Sequence, residues 1–281
     1  MKRSDEIRKL LGMSATEVQE KVGKLLVVLP SIEALYQSFA NTIAEEIVEN
    51  NRRNHPTKLI LPVGAVGQYP LLAERVNAED ISLKRCWFLM MDEHCDDDGI
   101  EVPPDHPLGF RNSFEKEFRQ RVSDRLILPD EQLIFPDHRN IRTLKSQIAA
   151  LGGIDTTYGG IEIHGHIAYN EPEPNVRESD PRLVNLNEFT RTINVIRAKM
   201  GGNLENYPRI GATLGMRQLL GAKRIRLYCR NGIDLDWANT VLRLAVLGSP
   251  GDDYPVTHIR DHPDYVVVTD EATLKSPRVV L

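Results

Sequence analysis

Three short runs in this chain are apolar at every position, and each stops abruptly. Leu25-Leu26-Val27-Val28-Leu29 ends at Pro30, Leu59-Ile60-Leu61 ends at Pro62, and Cys86-Trp87-Phe88-Leu89-Met90-Met91 ends at Asp92-Glu93-His94. A strand with one wet face alternates polar and apolar side chains. A strand that is apolar on both faces belongs instead to a parallel sheet covered by helices on each side. The intervening segments supply those helices. Ile32, Leu35, Phe39, Ile43 and Ile47 recur at helical spacing with glutamates between them, which predicts an amphipathic helix ending near Asn50-Asn51. Further helices are expected around 69–77, 107–121, 142–151, 213–220 and 234–247. Further strands are expected at 133–135, 158–163, 225–229 and 265–268. The long stretch 172–188, rich in Pro, Asn, Glu and Arg, reads as a loop or lid. No linker breaks the alternation, so residues 24–281 form one α/β domain with a doubly wound, Rossmann-like, mostly parallel sheet. Residues 1–23 read as a helical N-terminal extension, with Ser14 and Glu17 at capping-box spacing.

Composition narrows the function classes. Of 281 residues, 35 Lys plus Arg stand against 40 Asp plus Glu, and the resulting net charge of −5 argues against a polybasic nucleic-acid protein. No run of 18 apolar residues occurs, so no membrane span is expected. Met1 to Ile7 is charged and unlike a secretory leader, and the three cysteines show no CxxC spacing. A cytoplasmic protein acting on a small molecule is expected. Amphipathic helices near the N-terminus leave a homo-oligomer open.

In such sheets the ligand crevice lies beyond the carboxyl ends of the strands. Unusual residues collect at those ends. The turn Gly64-Ala65-Val66-Gly67 lets backbone approach a ligand and opens a helix whose amides suit an anion, although a tight strand-to-helix turn needs the same glycines. Asp92-Glu93-His94 delivers a carboxylate to a strand edge, where partial burial can make it a general base. In Gly159-Gly160-Ile161-Glu162-Ile163-His164-Gly165-His166-Ile167-Ala168-Tyr169-Asn170-Glu171-Pro172, an extended chain would point His164 and His166 the same way, with Glu171 returning to meet them. A His–carboxylate pair suits proton transfer near neutrality; His-x-His is also metal-ligand spacing, completed by Asp92 or Glu171. Arg191 and Arg197, with Lys199 nearby, could hold an anionic substrate or simply form an exposed basic face.

These blocks, together with His106-Pro107, Phe110, Ser113-Phe114, Thr190-Arg191-x-x-Asn194 and Thr213-Leu214-Gly215-Met216, resemble the glucosamine-6-phosphate deaminases in order and spacing. The resemblance spans roughly residues 24–281, and Gly-His-Ile-Ala-Tyr-Asn-Glu-Pro is its specific part. The 6-phosphogluconolactonases share the fold but do not usually carry the Asn-Glu-Pro ending. The resemblance implies an aldose–ketose isomerisation coupled to loss of ammonia, with neither metal nor cofactor. It implies that His166 assists ring opening, that Asp92 moves a proton between C2 and C1, and that Glu171 orients His166. His164 stands where the family usually has an Asp of the ring-opening group. The turn 64–67, with Glu93, Arg191 and Arg197, is expected to contact the substrate.

Three departures weaken the family's phosphate grip. Gly64-Ala65-Val66 lacks the usual Thr, Asp234 or a neighbour stands where a Lys is usual, and the usual Arg falls one residue out of register near Arg197. That leaves Arg197, Lys199 and Arg230 to compensate. Lactone hydrolysis on the same fold, a sugar-binding relative without activity, and a divalent metal at His164, His166 and a carboxylate are the alternatives.

Overall fold

The computed structural model describes residues 2–64, 66–230 and 237–280. In chain order its elements are α1 (Arg3–Leu11), α2 (Ala15–Val22), β1 (Leu26–Leu29), α3 (Ile32–Arg52), β2 (Thr57–Leu61), α4 (Gln68–Ala78), β3 (Cys86–Met90), β4 (Asp92–Cys95), α5 (Phe110–Glu117), β5 (Leu133–Ile134) and α6 (Leu144–Ala150). They continue with β6 (Thr156–Gly160), β7 (Arg182–Asn185), α7 (Glu188–Arg197), β8 (Ile210–Thr213), α8 (Met216–Leu220), β9 (Arg224–Cys229), α9 (Ala238–Leu247), β10 (Tyr265–Asp270) and α10 (Glu271–Leu274).

Seven strands form one parallel sheet in the order β1-β10-β9-β6-β2-β3-β5. Its pleat feeds two cores. Leu59, Leu61, Phe88, Met90 and Val268 pack with α3 and α4 on one face, while Ile60, Leu89, Leu227 and Val267 pack with α6, α8 and α9 on the other. The doubly wound α/β architecture is borne out, and for the expected reason. Successive side chains of one strand go to opposite sides, so a strand buried on both must be apolar throughout.

The chain departs from the expected elements in one consequential place. Asp92-Glu93-His94 does not end a strand; it begins β4, which joins a second, antiparallel sheet in the order β4-β8-β7. β7 lies inside the stretch expected to be loop, and β8 precedes the expected helix. Polar residues on a small, half-covered sheet carry no hydrophobic run to announce them. The strand expected over 158–163 runs instead from Thr156 to Gly160.

Ser14 makes the capping box that starts α2, and both N-terminal helices pack against α9. At their junction lies Arg243, fully buried, whose guanidinium donates to the carbonyls of Met13, Asn239, Leu274 and Lys275. It joins the α1–α2 break, α9 and the chain after α10. No helix among the described residues is long and apolar enough to cross a membrane.

Truncating Arg243 orphans several buried carbonyls at once. Arg243→Ala should therefore lower unfolding free energy by more than about 3 kcal/mol, summing penalties of about 1–3 kcal/mol per unmet group. Urea denaturation read by circular dichroism checks it, and a loss near 1 kcal/mol would contradict the assignment.

Candidate active site

Beyond the carboxyl ends of β6, β2 and β3, three neighbours in the sheet, lies a pocket of about 320 Å³. Its floor is Pro62 to Gly64 with Val66 after β2, Met91 and Asp92 after β3, and Gly160, Glu162, Ile163 and His166 at and beyond the end of β6. Its roof is α7, through Thr190, Ile193, Asn194 and Arg197, with Pro107, Leu108 and Phe110 at the side. This is the crevice that the topology favours for ligands.

Asp92 reaches the pocket because the backbone changes sheets at Met91. Met91 N–H donates to Leu61 C=O of the main sheet at 3.0 Å, and its C=O accepts from Leu214 N–H beside the small sheet at 2.8 Å. Gly159 makes room for the Met91 side chain, since a Cβ there would stand 2.9 Å from Met91 Cε. Asp92 is buried, and among the described residues no group donates a hydrogen bond to its carboxylate. Burial, then the charges of Glu93 and Glu162, push its pKa well above the ordinary value.

His166 lines the same pocket. The chain before it is not the extended strand that was expected. Ile163–Gly165 makes one tight turn, closed by a hydrogen bond from Glu162 N–H to His166 C=O of 3.1 Å. His164 and Ala168 both take positive φ, near +59° and +54°, a conformation that non-glycine residues seldom adopt outside constrained sites. Gly165 is required twice over, by its own positive φ and by Val256 Cγ1, 2.9 Å from a built Cβ. Because the chain turns, the two imidazoles part company. His166 faces the pocket with its Nδ1 unpartnered, while His164 sits outside the lining with its ring edge-on to Phe189 at 4.8 Å. Burial lowers the His166 pKa to about 4, with Glu162 opposing and His164 and Arg197 adding to the drop. The ring is neutral near pH 7.

Glu171 does not meet His166. Its Oε2 accepts the N–H of Asn187, the N-cap residue of α7, at 2.9 Å, and its Oε1 is buried without a partner. Burial raises its pKa. Glu93 is likewise used up, its carboxylate accepting the N–H groups of His94, Phe110 and Arg111 at the start of α5. A carboxylate at a helix N-terminus finds unpaired donors and a favourable dipole, which outcompetes a place in the pocket. Arg191 donates to Leu204 C=O and pins the segment after α7 rather than facing the pocket. Gly64 and Val66 line it. Gly67 does not; it clears the Tyr36 ring, which a Cβ would meet at 2.6 Å. Ala65 and the 231–234 segment lie outside the described residues. Of the three candidate compensating cations, only Arg197 lines the pocket. Lys199 is exposed, and Arg230 lies over Tyr36 at 5.3 Å.

Two features were not anticipated. Glu162, two residues past the Gly-Gly strand end, lines the pocket and accepts from Arg197 at 2.7 Å; a charged residue leaving an apolar strand was its only signal. His94 anchors an aromatic wall. Its Nδ1 must be the donor to Leu108 C=O at 2.8 Å, which leaves Nε2 to accept from the hydroxyls of Tyr169 and Tyr207 at 2.6 and 3.0 Å. Among the described residues no three His, Cys, Asp or Glu side chains are grouped to hold a metal ion.

No protein-family model matches the chain. Glucosamine-6-phosphate deaminases of Parabacteroides distasonis and Rhodopirellula baltica are 28% and 27% identical to it over 264 and 259 residues. These alignments cover 90% and 89% of this chain and 92% and 96% of theirs. Among solved structures, a monomeric glucosamine-6-phosphate deaminase superposes with TM-score 0.77 at 22% identity, over 89% of this chain and 98% of that one. The 6-phosphogluconolactonase of Thermotoga maritima superposes with TM-score 0.66 at 14% identity, over 88% and 99%. The resemblance read from the motifs is borne out, with the deaminases as the sequence relatives and both groups sharing the fold.

The buried His94 has its pKa pushed down from 6.5 to about 4 by desolvation. The unfolded chain therefore takes up this proton first, and the stabilisation is complete above about pH 6.5 and lost as pH falls towards 4. The urea midpoint should drop across that window, with His166 contributing in the same sense and Asp92, whose pKa is raised, in the opposite one. His94→Gln should flatten the drop relative to wild type; an unchanged slope would show that His94 is not held neutral.

Proposed function

We propose that this relative of the glucosamine-6-phosphate deaminases is an enzyme that opens, isomerises and deaminates an amino-sugar phosphate. One observation carries the reading. Among the described residues, a buried carboxyl that accepts no hydrogen bond and a neutral imidazole line a single pocket at the strand ends. Buried groups left without partners are costly, and they persist where a ligand completes them.

The neutral imidazole has one nitrogen carrying a proton and one carrying a lone pair. His166 takes the proton of the anomeric hydroxyl and a proton is returned to the ring oxygen, so the ring opens to the aldehyde. Asp92 then removes the proton at C2 and delivers it to C1 while a second proton passes from the nitrogen to O1, which leaves an imine at C2 and a hydroxyl at C1. Water adds there, ammonia departs, and the product is the ketose phosphate. A carboxyl whose pKa is raised by burial is a stronger base for C–H abstraction than an ordinary one, and general acid–base groups of this kind contribute about 10²–10⁴-fold. The turn around Gly64 and Val66, ahead of α4, receives the phosphate with backbone amides. Glu171 acts on the roof of the pocket, through α7, rather than on the imidazole.

Asp92→Asn removes the base and also relieves a buried, uncompensated carboxyl. Ammonia release from glucosamine 6-phosphate should fall by about 10²–10⁴-fold, while the thermal midpoint stays level or rises. Retained turnover in that variant would end the mechanism, and lactone opening without ammonia release by the wild type would replace it.

A further inference from the structure

The Glu162–Arg197 pair is unusual for a pocket that accepts a phosphorylated sugar. Arg197 is the only Lys or Arg among the described residues lining the pocket, and the Glu162 carboxylate neutralises it through Oε2 at 2.7 Å. The guanidinium also lies over the Trp237 ring, 5.4 Å from its centroid, so its position is fixed from two sides. An arginine meant to grip an anion gains nothing from a carboxylate placed upon it. Among the described residues the second oxygen of Glu162, Oε1, accepts no hydrogen bond. Glu162 and His166 stand at the two ends of the Ile163–Gly165 turn, and both line the pocket with Asp92. This wall therefore offers two carboxyl groups and a compensated cation, an arrangement that disfavours an anion and welcomes a cation between the acids.

We propose that Glu162 is a specificity-determining residue, which takes the ammonium of the substrate's amino group on Oε1 and so selects amino sugars over their neutral counterparts. The proposal rests on the deaminase reading, in which Asp92 works at C2, the carbon that bears the nitrogen. Arg197 then serves as the clamp that orients Glu162. The phosphate is left to the turn around Gly64 and Val66.

The test separates amine recognition from turnover. The open-chain alditols of glucosamine 6-phosphate and glucose 6-phosphate lack the carbonyl and cannot react, and they differ by an ammonium against a hydroxyl. Calorimetry on the wild type should show the amino alditol binding about ten-fold or more tightly, the factor expected of one charge-assisted hydrogen bond. Glu162→Gln should bring the ratio of the two affinities close to one, and Glu162→Asp should restore part of it. A wild type with no preference, or binding neither alditol, overturns the proposal. So does a Glu162→Gln protein in which both affinities fall together and the ratio survives, since that is a structural effect. Ammonia release by the wild type, with the ratio intact in Glu162→Gln, sinks the role of Glu162 alone. Loss of the ratio in Glu162→Gln, with no ammonia release by the wild type, keeps Glu162 as the amine site and sinks the deaminase reading.

Discussion

The site depends on one residue's backbone being shared between two sheets. Met91 spends its N–H on β2 and its C=O on the residue after β8, so the chain cannot continue along the parallel sheet and is carried into the antiparallel one. Both hydrogen bonds are buried and neither is dispensable, because an unmet backbone group there would cost as much as a lost core contact. The consequence is positional. Asp92 is the first residue past the crossing, fixed by main-chain bonds on both sides rather than by its own side chain. That is how a carboxylate can be held to a definite place while, among the described residues, its oxygens accept no hydrogen bond. Gly159 on β6 lies against the same residue, and a Cβ there would stand 2.9 Å from the tip of the Met91 side chain.

Burial then sets the chemistry through a single cause acting in two directions. Desolvation penalises charge, so it raises the pKa of Asp92 and lowers that of His166. The carboxyl becomes a stronger base, and the imidazole stays neutral and able to pass a proton either way. Glu93, next along the chain, faces the same dry surroundings but accepts three backbone N–H groups, two of them from the first turn of α5. Neighbouring acids on one strand thus divide between structure and chemistry according to which of them finds donors.

The sequence makes the parallel sheet legible because fully buried strands must be apolar on both faces. Runs such as Leu59-Ile60-Leu61 and Phe88-Leu89-Met90 carry that information residue by residue. The small antiparallel sheet is not legible in the same way. β4 and β7 carry Asp, Glu, His, Arg and Asn in strands of four residues, where pairing with β8 and not hydrophobic patterning decides their form. Asp92 and His166 stand out in the sequence as strand-end groups and do share a pocket. The failure at His164 and Glu171 has a definite origin. Alternation along an extended chain is a sound rule only if the chain is extended, and the turn at 163–165, with positive φ at His164 and Gly165, reverses it. Glu162 was hidden by the same assumption, as a spacer in a strand that had already ended.

The segment from Glu162 to Glu171 does more than present an imidazole, because its two terminal carboxylates hold the roof. Glu171 accepts the backbone N–H of the residue that caps α7, and Glu162 takes the guanidinium of Arg197 in the last turn of the same helix. Asn170 fixes this loop in turn, donating to Ile167 and Leu214 and accepting from Ser179 and Arg182. α7 itself buries little, with Thr190 and Val195 turned inwards and Phe189 and Ile196 exposed. A helix held by a few polar contacts and backed by few apolar ones has less to resist local opening than the helices of the two cores. Both of these carboxylate contacts spring from the loop that carries His166, so one segment places the roof and the imidazole together.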